Sequence, residues 1–315
     1  MTPRSAIGLG VDAGQGAARW ALADSTGAIL AAGEAEPFTG HLFTPEARAA
    51  LGQVMRRLTA SLPPDARPCA AVLGVTGLSA GTPAAEFVRQ TAAAALAIPA
   101  TRVQVHDDMR IAHLAAFGDS PGALVYAGTG AAAYAFDAHG QAVRAGGHGY
   151  LLDDAGGGFW IGREGLRALL RSRDETPTAP AGELARRLDA ALGGPDWEGI
   201  REAIYAGGGR EKLAALAPEV LAAAQAGDPL AAEVIDRAGR ELARLAAIVI
   251  DRAALQTPVR VAFLGGAAQQ PLAQALAPHL PPGCPPAPQP APSPAEAAAR
   301  LAAATAATGK GAHAM

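Results

Sequence analysis

The stretch GVDAGQGAARWALAD, residues 10–24, decides how the rest of the chain is interpreted. It predicts a strand, a tight glycine turn and a second strand, because apolar runs flank Gly14 and Gly16. An acidic residue, Asp12, stands where the first strand ends. Glycine turns of this kind let backbone N–H groups converge on phosphate oxygens. Residues 15–18 carry no hydroxyl side chain, however, so this stretch by itself leaves a plain hairpin equally open.

Two further glycine turns favour phosphate binding over a plain hairpin. YAGTGAAAYAF, residues 126–136, repeats the strand, turn and strand, with Thr129 between two glycines. FLGGAA, residues 263–268, places a Gly-Gly turn after a late strand, where it can lie flat against an adenine or a ribose. An aspartate such as Asp12 can hold a hydrated Mg²⁺ ion against the phosphates.

The order of predicted elements repeats along the chain. The first part is predicted as β-β-β-α-β-α-β, and its first helix is expected to begin after an N-cap residue, Thr44. From residue 122 the pattern restarts with three strands and then long helical segments. Two copies of one α/β unit would create a cleft between them, and ligands prefer such clefts.

The end of the chain is predicted to return to the first unit. LPPGCPPAPQPAPSP, residues 280–294, is too rich in proline for a helix or a central strand, so it is expected to be a connector. We predict an N-terminal domain over residues 1–118 and a C-terminal domain over residues 119–290. The final helix, residues 294–308, is predicted to pack on the N-terminal domain.

Composition bounds the classes of protein that fit. The chain has 315 residues, a net charge of −3 and 50% hydrophobic residues, with no block of basic residues. Nucleic acid is therefore not the expected partner. No signal peptide and no apolar run of membrane-spanning length is apparent, so a cytoplasmic protein without membrane association is expected. The two cysteines, Cys69 and Cys284, have no metal-ligand spacing and are expected to be free thiols.

At this point the chain resembles a known superfamily over nearly its whole length. The motifs that carry the resemblance are GVDAGQG, GVTGLSAG, VHDDMRIAHLAAF, LVYAGTGAAA, AGGHGYLLDDAGGGFWIGREGL and VAFLGGAA, in that order. It is similar to the ATP-binding folds of sugar kinases, actin and heat-shock chaperones. More narrowly it resembles N-acetylglucosamine kinases and BadF/BadG/BcrA/BcrD-type ATPases. The resemblance implies two ribonuclease H-like domains of the actin-like ATPase fold with an interdomain nucleotide cleft.

The resemblance also implies roles for particular residues. ATP and Mg²⁺ are the implied cofactors, with Asp12 as the carboxylate on the metal side. The residues implied for the nucleotide, besides Asp12, are Gly14, Gln15, Gly16, Gly128, Thr129, Gly130, Gly265 and Gly266. Those implied for a small-molecule sugar are Thr39, His41, His148, Asp154 and Gly156. An aspartate of HDDM would be the general base; Asp108 aligns with that position, and Asp107 is the other candidate.

Helix capping is the alternative role for these aspartates. Asp107 and Asp108 precede a helical segment, and either can cap it while the other faces the substrate. Asp154 precedes the helix entered through GGGFWIG, so capping and sugar binding are equally open for it.

Several positions depart from the family's pattern. The first phosphate turn usually reads Asp-x-Gly-Gly-Thr with a further Thr or Ser two residues later, where this chain has Gln15, Gly16 and Ala18. A hydrogen bond to a charged group contributes on the order of 1.5–3 kcal/mol, so its loss weakens nucleotide binding roughly ten- to a hundredfold. On the acceptor side, expected polar or aromatic groups are replaced. The residues found there are Gly40, Ala132, His148 and Ala155.

Three functions are therefore weighed. The leading expectation is an ATP-dependent kinase of an amino sugar resembling N-acetylglucosamine or glucosamine. The second is a non-catalytic regulator that binds nucleotide or sugar through a degenerate phosphate loop. The third is an activator ATPase of a dehydratase or reductase system, which needs cysteine ligands for an iron–sulfur cluster. The resemblance leaves a homodimer open.

Overall fold

A computed structural model of the protein describes residues 6–14, 16–79, 81–176, 182–206, 208–267, 270–288 and 293–308. The chain forms two compact units. Unit 1 comprises Met1–Ser120 and Pro290–Met315, and unit 2 comprises Pro121–Gln289. The chain therefore passes from unit 1 to unit 2 and returns.

Each unit is built on one mixed sheet within the described residues. The strands of unit 1 are β1 (Gly8–Ala13), β2 (Ala18–Ala23), β3 (Ile29–Ala35), β4 (Ala70–Val75) and β5 (Val103–His106). Those of unit 2 are β6 (Gly122–Ala127), β7 (Ala131–Phe136), β8 (Ala142–Gly146) and β9 (Arg260–Leu264). The sheet orders are β3-β2-β1-β4-β5 and β8-β7-β6-β9.

The two sheets share one pairing scheme. The first strand of each, β1 or β6, pairs antiparallel with the next strand of the chain and parallel with a later one. The strand that follows, β3 or β8, extends the antiparallel side. This repetition confirms the restart of the pattern predicted from the sequence.

Helices fill the connections between strands. In chain order they are α1 (Pro45–Ser61), α2 (Pro83–Leu96), α3 (Asp108–Phe117), α4 (Gly158–Glu175), α5 (Glu183–Leu192), α6 (Trp197–Tyr205), α7 (Gly209–Ala215), α8 (Ala217–Gln225), α9 (Pro229–Arg252), α10 (Gln270–Leu276) and α11 (Pro294–Thr308). The N-cap predicted for α1 is confirmed, because the Thr44 side chain accepts a hydrogen bond from the Ala47 backbone N–H. None of the described helices combines the length and apolar character needed to cross a membrane.

Helix α11 packs directly on the backbone of β1. A β-carbon built at Gly8 would stand 2.1 Å from the Ala303 nitrogen, and one built at Gly10 would stand 2.1 Å from the Ala295 oxygen. Only glycine permits this approach without displacing the helix. On the helix side the contact is made by alanines, including Ala295 and Ala299, which are almost fully buried. The opposite face of the same sheet packs against α1 and α2.

Candidate functional site

The strand order of unit 1 brings several polar residues to one edge of the sheet. Strand β4 lies between β1 and β5 and runs parallel to both, with Asp12 opposite Gly74 and Gly74 opposite His106. The carboxyl ends of the three strands therefore meet. The residues at these ends are Asp12, Thr76, Asp107 and Asp108, which we call the unit 1 cluster.

The structure gives the two neighbouring aspartates of the cluster different roles. Asp107 is the N-cap of α3, and its Oδ1 accepts a 2.7 Å hydrogen bond from the Arg110 backbone N–H. Asp108 is the first residue of the helix. Its Oδ2 accepts a 2.6 Å hydrogen bond from the Thr76 hydroxyl, and its Oδ1 accepts from the Met109 backbone N–H at 3.0 Å. Capping therefore accounts for Asp107, and Asp108 is the carboxylate turned towards β1 and β4.

A glycine in β4 allows α3 to begin so close to the sheet. A β-carbon built at Gly74 would stand 2.7 Å from Ile111 Cγ1 and 3.5 Å from the Asp108 Cα. Any side chain at residue 74 would push the start of α3 away from the strand. The absence of a side chain there helps to set the position of Asp108.

The cluster is electrostatically crowded. Burial, and then the charge of Asp108, raise the pKa of Asp12 from 3.8 to about 6, although Arg19 opposes the shift. Burial also raises the pKa of Asp107. Burial followed by the charge of Arg110 lowers the pKa of His106. At Asp12, burial and the charge of Asp108 therefore outweigh the positive charge of Arg19.

Within the part of the chain that the structure describes, the first glycine turn has free space at Gly16, the position where the family's pattern has a threonine. The Gly14 N–H donates to the Ala17 oxygen at 3.0 Å, which closes the turn. A β-carbon built at Gly16 would meet no heavy atom of the described residues within 4 Å, and Gln15 lies outside those residues. The exposed Arg19 side chain is 3.7 Å from Glu34 on the neighbouring strand, so it is turned towards solvent rather than towards the turn.

The segment that contains Thr39 and His41 lies beside the unit 1 cluster. The Gly40 N–H donates to the Thr76 oxygen at 2.9 Å, and the His41 N–H donates to Thr39 Oγ1 at 3.3 Å. A β-carbon built at Gly40 would stand 2.7 Å from Leu78 Cδ1. The asparagine of the family's pattern therefore has no room at residue 40 in this chain.

In unit 2, backbone hydrogen bonds join the turn of Gly128, Thr129 and Gly130 to the start of α4. The Gly158 N–H donates to the Gly128 oxygen at 2.8 Å, and the Phe159 N–H donates to the Thr129 oxygen at 3.0 Å. A β-carbon at Gly157 would stand 2.5 Å from the Gly130 carbonyl carbon, so the two segments are in direct backbone contact. The Thr129 side chain is exposed.

The Gly-Gly turn after β9 lies against the end of β6. Gly265 has a φ of +104°, and a β-carbon built there would stand 2.3 Å from the Ala127 oxygen. That oxygen also accepts a hydrogen bond from the Ala267 N–H at 2.9 Å. Among the described residues, no heavy atom lies within 4 Å of a β-carbon built at Gly266. The parallel pairing of β6 and β9 thus brings the second and third glycine turns together.

The residues predicted to bind sugar in unit 2 differ in their surroundings. Asp154 is buried and has a φ of +63°. Its Oδ1 accepts a long hydrogen bond, 3.4 Å, from the Gly149 N–H, and a carboxylate with such a bond keeps capacity to accept others. His148 is exposed, and its Nδ1 lies 3.1 Å from Asp153 Oδ2. Gly156 is buried against Leu242, which accounts for a glycine there by packing.

The capping role considered for Asp154 is wrong. The N-cap of α4 is Gly157, and no side chain makes a capping hydrogen bond there. The carboxylate of Asp154 lies three residues earlier, against Gly130. The backbone carbonyls of Gly128 and Thr129 accept from the first α4 amides instead, which removes the need for a side-chain cap.

Sequence reasoning missed Thr76. It directly follows β4, in the motif GVTG, and its hydroxyl contacts a residue 32 positions further along the chain. The available signal was its place after a buried strand next to β1, because the ends of parallel neighbours meet at one sheet edge.

The donors present fit a magnesium ion held mainly by phosphates. Within the described ranges, no group of three or more His, Cys, Asp or Glu side chains could hold a metal ion by itself. Mg²⁺ commonly binds through one or two carboxylates together with substrate phosphates and water. Asp12, a crowded carboxylate beside a glycine turn, suits that arrangement.

Comparisons with known proteins agree with this architecture. A kinase of N-acetylmuramic acid and N-acetylglucosamine from Clostridium acetobutylicum is 29% identical over 144 residues, which are 45% of this chain and 46% of that protein. The chain thus matches less than half the length of this relative.

Two crystal structures of candidate N-acetylglucosamine kinases resemble nearly the whole chain. The Chromobacterium violaceum protein is 27% identical with a TM-score of 0.63, and covers 96% of this chain and 100% of its own. The Porphyromonas gingivalis protein is 20% identical with a TM-score of 0.66, and covers 97% and 100%. These similarities confirm the predicted fold class of two ribonuclease H-like units of the actin-like ATPase type.

The strongest assignment comes from the family profile. Residues 9–285 match the profile of the BadF/BadG/BcrA/BcrD ATPase family, a span that includes all three glycine turns and the unit 1 cluster. The chain belongs to the BadF/BadG/BcrA/BcrD ATPase family.

Proposed function

We propose that the protein transfers the terminal phosphoryl group of ATP to a hydroxyl group of an amino sugar of the N-acetylglucosamine or N-acetylmuramic acid type. The family is one of ATPases. The activity of the Clostridium relative, and the activity assigned to the candidate kinase from Chromobacterium, support the sugar class of acceptor. We further propose that the protein acts in the cytoplasm.

The observation that carries the proposal is the different placement of two adjacent aspartates. Asp107 is engaged as the α3 cap, whereas Asp108 faces the ends of β1 and β4 beside Asp12. A general base must reach the acceptor hydroxyl from a fixed position. The hydrogen bonds of the two side chains support Asp108, rather than Asp107, as the general base.

In the proposed reaction, Asp108 accepts the proton of the sugar hydroxyl and the sugar oxygen attacks the terminal phosphorus of ATP. The bond between that phosphorus and the bridging oxygen breaks, and ADP leaves. Backbone N–H groups of the first two glycine turns orient the phosphates, apart from those of Gly14 and Gly128, which donate within their own turns. Thr129 offers an exposed hydroxyl. Bound Mg²⁺ would neutralise phosphate charge, with Asp12 on the metal side. The remaining contribution is positioning of the two reactants.

Acceptor-binding residues are proposed for each unit separately. Asp154 supplies a buried carboxylate that can accept a hydrogen bond from a sugar hydroxyl, and the exposed His148 contacts the preceding residue, Asp153. In unit 1, Thr39 and His41 lie beside Thr76. Gly265 and Gly266 are proposed to contact the nucleoside.

The test is sugar-dependent formation of ADP. The assay uses Mg-ATP with N-acetylglucosamine, glucosamine, N-acetylmannosamine, N-acetylmuramic acid or glucose. We expect turnover with an amino sugar and a fall of about 10²–10⁴ in kcat for Asp108→Asn. Asp107→Asn is the matched control, because asparagine also caps helices and should keep most of the activity. Equal losses in the two variants would remove Asp108 from the role of base.

A non-catalytic regulator is the second candidate, favoured by the first turn. That turn offers no hydroxyl at Gly16 or Ala18 to replace the one in the family's pattern. A regulator would bind ATP or sugar in calorimetry and release no ADP with any acceptor. The activator ATPase is less well supported, since each thiol contacts a carbonyl within its own unit: Cys69 that of Ile7, and Cys284 that of Pro282.

A further inference from the structure

Thr76 connects three segments of unit 1. Its backbone N–H donates to the Ala13 oxygen at 2.9 Å, and its backbone oxygen accepts from the Gly40 N–H at 2.9 Å. Its hydroxyl donates to Asp108 Oδ2 at 2.6 Å. The two backbone hydrogen bonds fix the position of Thr76, and its hydroxyl hydrogen-bonds the Asp108 carboxylate.

Asp108 needs such a contact to keep its direction. It is the first residue of α3, where a carboxylate is drawn towards the free N–H groups of the helix. Its Oδ1 already accepts from the Met109 N–H. The charge of Asp12 also acts on Asp108, since the two carboxylates repel each other. A hydrogen-bond donor to Asp108 Oδ2 opposes both the attraction to the helix N–H groups and the repulsion from Asp12. It keeps Oδ2 at the ends of the strands.

The chemistry of threonine suits this task. A hydrogen bond from a hydroxyl to a carboxylate at 2.6 Å is short and charge-assisted, which makes it one of the stronger kinds. Threonine is branched at Cβ, so its side chain has few rotamers and its hydroxyl is held in one direction. Thr76 is half-buried, which limits competition by water.

We propose that Thr76 is a positioning residue for the general base, and that its hydroxyl holds the Asp108 carboxylate towards the acceptor. This inference rests on the proposed kinase function. It assigns a role in turnover to a side chain that is neither a nucleotide ligand nor a proton acceptor in that proposal.

The experiment compares Thr76→Val, Thr76→Ser and Thr76→Ala with the unmodified protein. Valine keeps the shape and both backbone bonds but removes the hydroxyl, whereas serine keeps the hydroxyl. We expect kcat to fall about 10- to 100-fold in Thr76→Val, because small misplacements of a reacting group have effects of that size. The KM for ATP should stay within about twofold, and Thr76→Ser should retain most of kcat.

Two controls separate positioning from general damage. Thr91 on α2 is also half-buried and donates its hydroxyl to the Phe87 oxygen at 2.8 Å, so Thr91→Val makes the same change away from the cluster. It should leave kcat unchanged. The double variant Thr76→Val with Asp108→Asn should be no slower than Asp108→Asn alone, because the hydroxyl acts through that carboxylate.

The outcomes distinguish the inference from the function on which it rests. If the unmodified protein turns over sugar and Asp108→Asn does not, an unchanged kcat in Thr76→Val overturns the inference alone. A Thr76→Ser protein as slow as Thr76→Ala overturns it as well, and this comparison serves if the valine variant does not fold. A multiplicative loss in the double variant would also overturn it. Absence of sugar-dependent turnover in the unmodified protein overturns the proposed function and this inference together.

Discussion

The carboxylate of Asp154 rests on the α-carbon of Gly130: a β-carbon built at residue 130 would stand 2.3 Å from Asp154 Oδ2. Asp154 itself has a left-handed backbone, with a φ of +63°, and its side chain is buried. A left-handed backbone costs an L-residue about 1–2 kcal/mol, and such strain concentrates at functional sites. The second glycine turn and the proposed sugar-binding carboxylate are thus packed as one structure.

Substitution of Gly130 by alanine is expected to displace this carboxylate. The KM for the sugar should rise by about tenfold or more, because the new methyl group and Asp154 cannot occupy the same space. Gly52→Ala on α1 is the control, since a β-carbon built there would stand at an ordinary contact distance of 3.5 Å from Arg56 Nη1. Steady-state kinetics with the sugar varied at saturating ATP measure the effect. An unchanged sugar KM in Gly130→Ala would argue against Asp154 as a sugar ligand.

In the third glycine turn, the effects of alanine on stability can be compared at two adjacent positions, Gly265 and Gly266. Gly265→Ala should lower the free energy of unfolding by about 1–3 kcal/mol, because a positive φ and the nearby Ala127 oxygen both disfavour a side chain. Gly266→Ala should change it by less than about 0.5 kcal/mol. Urea unfolding of both variants provides the measurement. Equal destabilisation would contradict the packing described for this turn.

Restoring a hydroxyl to the first turn is expected to tighten nucleotide binding. Gly16 has open space for a side chain, and the family's pattern has threonine at that position. Gly16→Thr should lower the dissociation constant of Mg-ATP by about tenfold, through one hydrogen bond to a charged oxygen. Gly16→Val adds the same volume without the hydroxyl. Calorimetric titration that finds the two variants alike would mean that residue 16 does not face the phosphates.

The buried carboxylate of Asp12 should make stability depend on pH. Its pKa is raised from 3.8 to about 6 in the folded protein. Between these two pH values, Asp12 is mostly protonated in the folded protein and mostly ionised in the unfolded chain. Asp12 therefore favours folding at pH below about 4, and this contribution is lost as the pH rises through about 6. In ligand-free protein, Asp12→Asn should be more stabilising at pH 7.5 than at pH 4.5, as measured by urea unfolding at both values.

Asp24 supplies a control of opposite sign for this experiment. Hydrogen bonds from Thr26 lower its pKa, so its contribution to stability is present at neutral pH and lost in acid. Asp24→Asn should therefore be neutral or destabilising at pH 7.5. A gain in stability from Asp12→Asn that did not change with pH would show that burial of the charge is not its cause.

The outline of both units could be predicted from the sequence because their signals are local. Apolar runs, glycine turns and the Thr44 cap each depend on a few consecutive residues. The choice between Asp107 and Asp108 could not be made, because both can cap a helix and only the exact start of α3 separates them. Thr76 was missed since its partner lies on another element. Asp154 was misjudged as a possible cap because carbonyls of a distant turn accept from the first α4 amides.

The packing of α11 on Gly8 and Gly10 has a consequence for the order in which the protein can be made. The strands of unit 1 precede unit 2 in the chain, yet the helix that covers one face of their sheet follows unit 2 and is synthesised after it. At about 5–20 residues per second, the ribosome needs roughly 10–35 s to add the intervening unit. During that interval the sheet face around Ala21 and Val72 lacks its cover. A chain that stops anywhere within unit 2 therefore leaves the first unit incomplete as well.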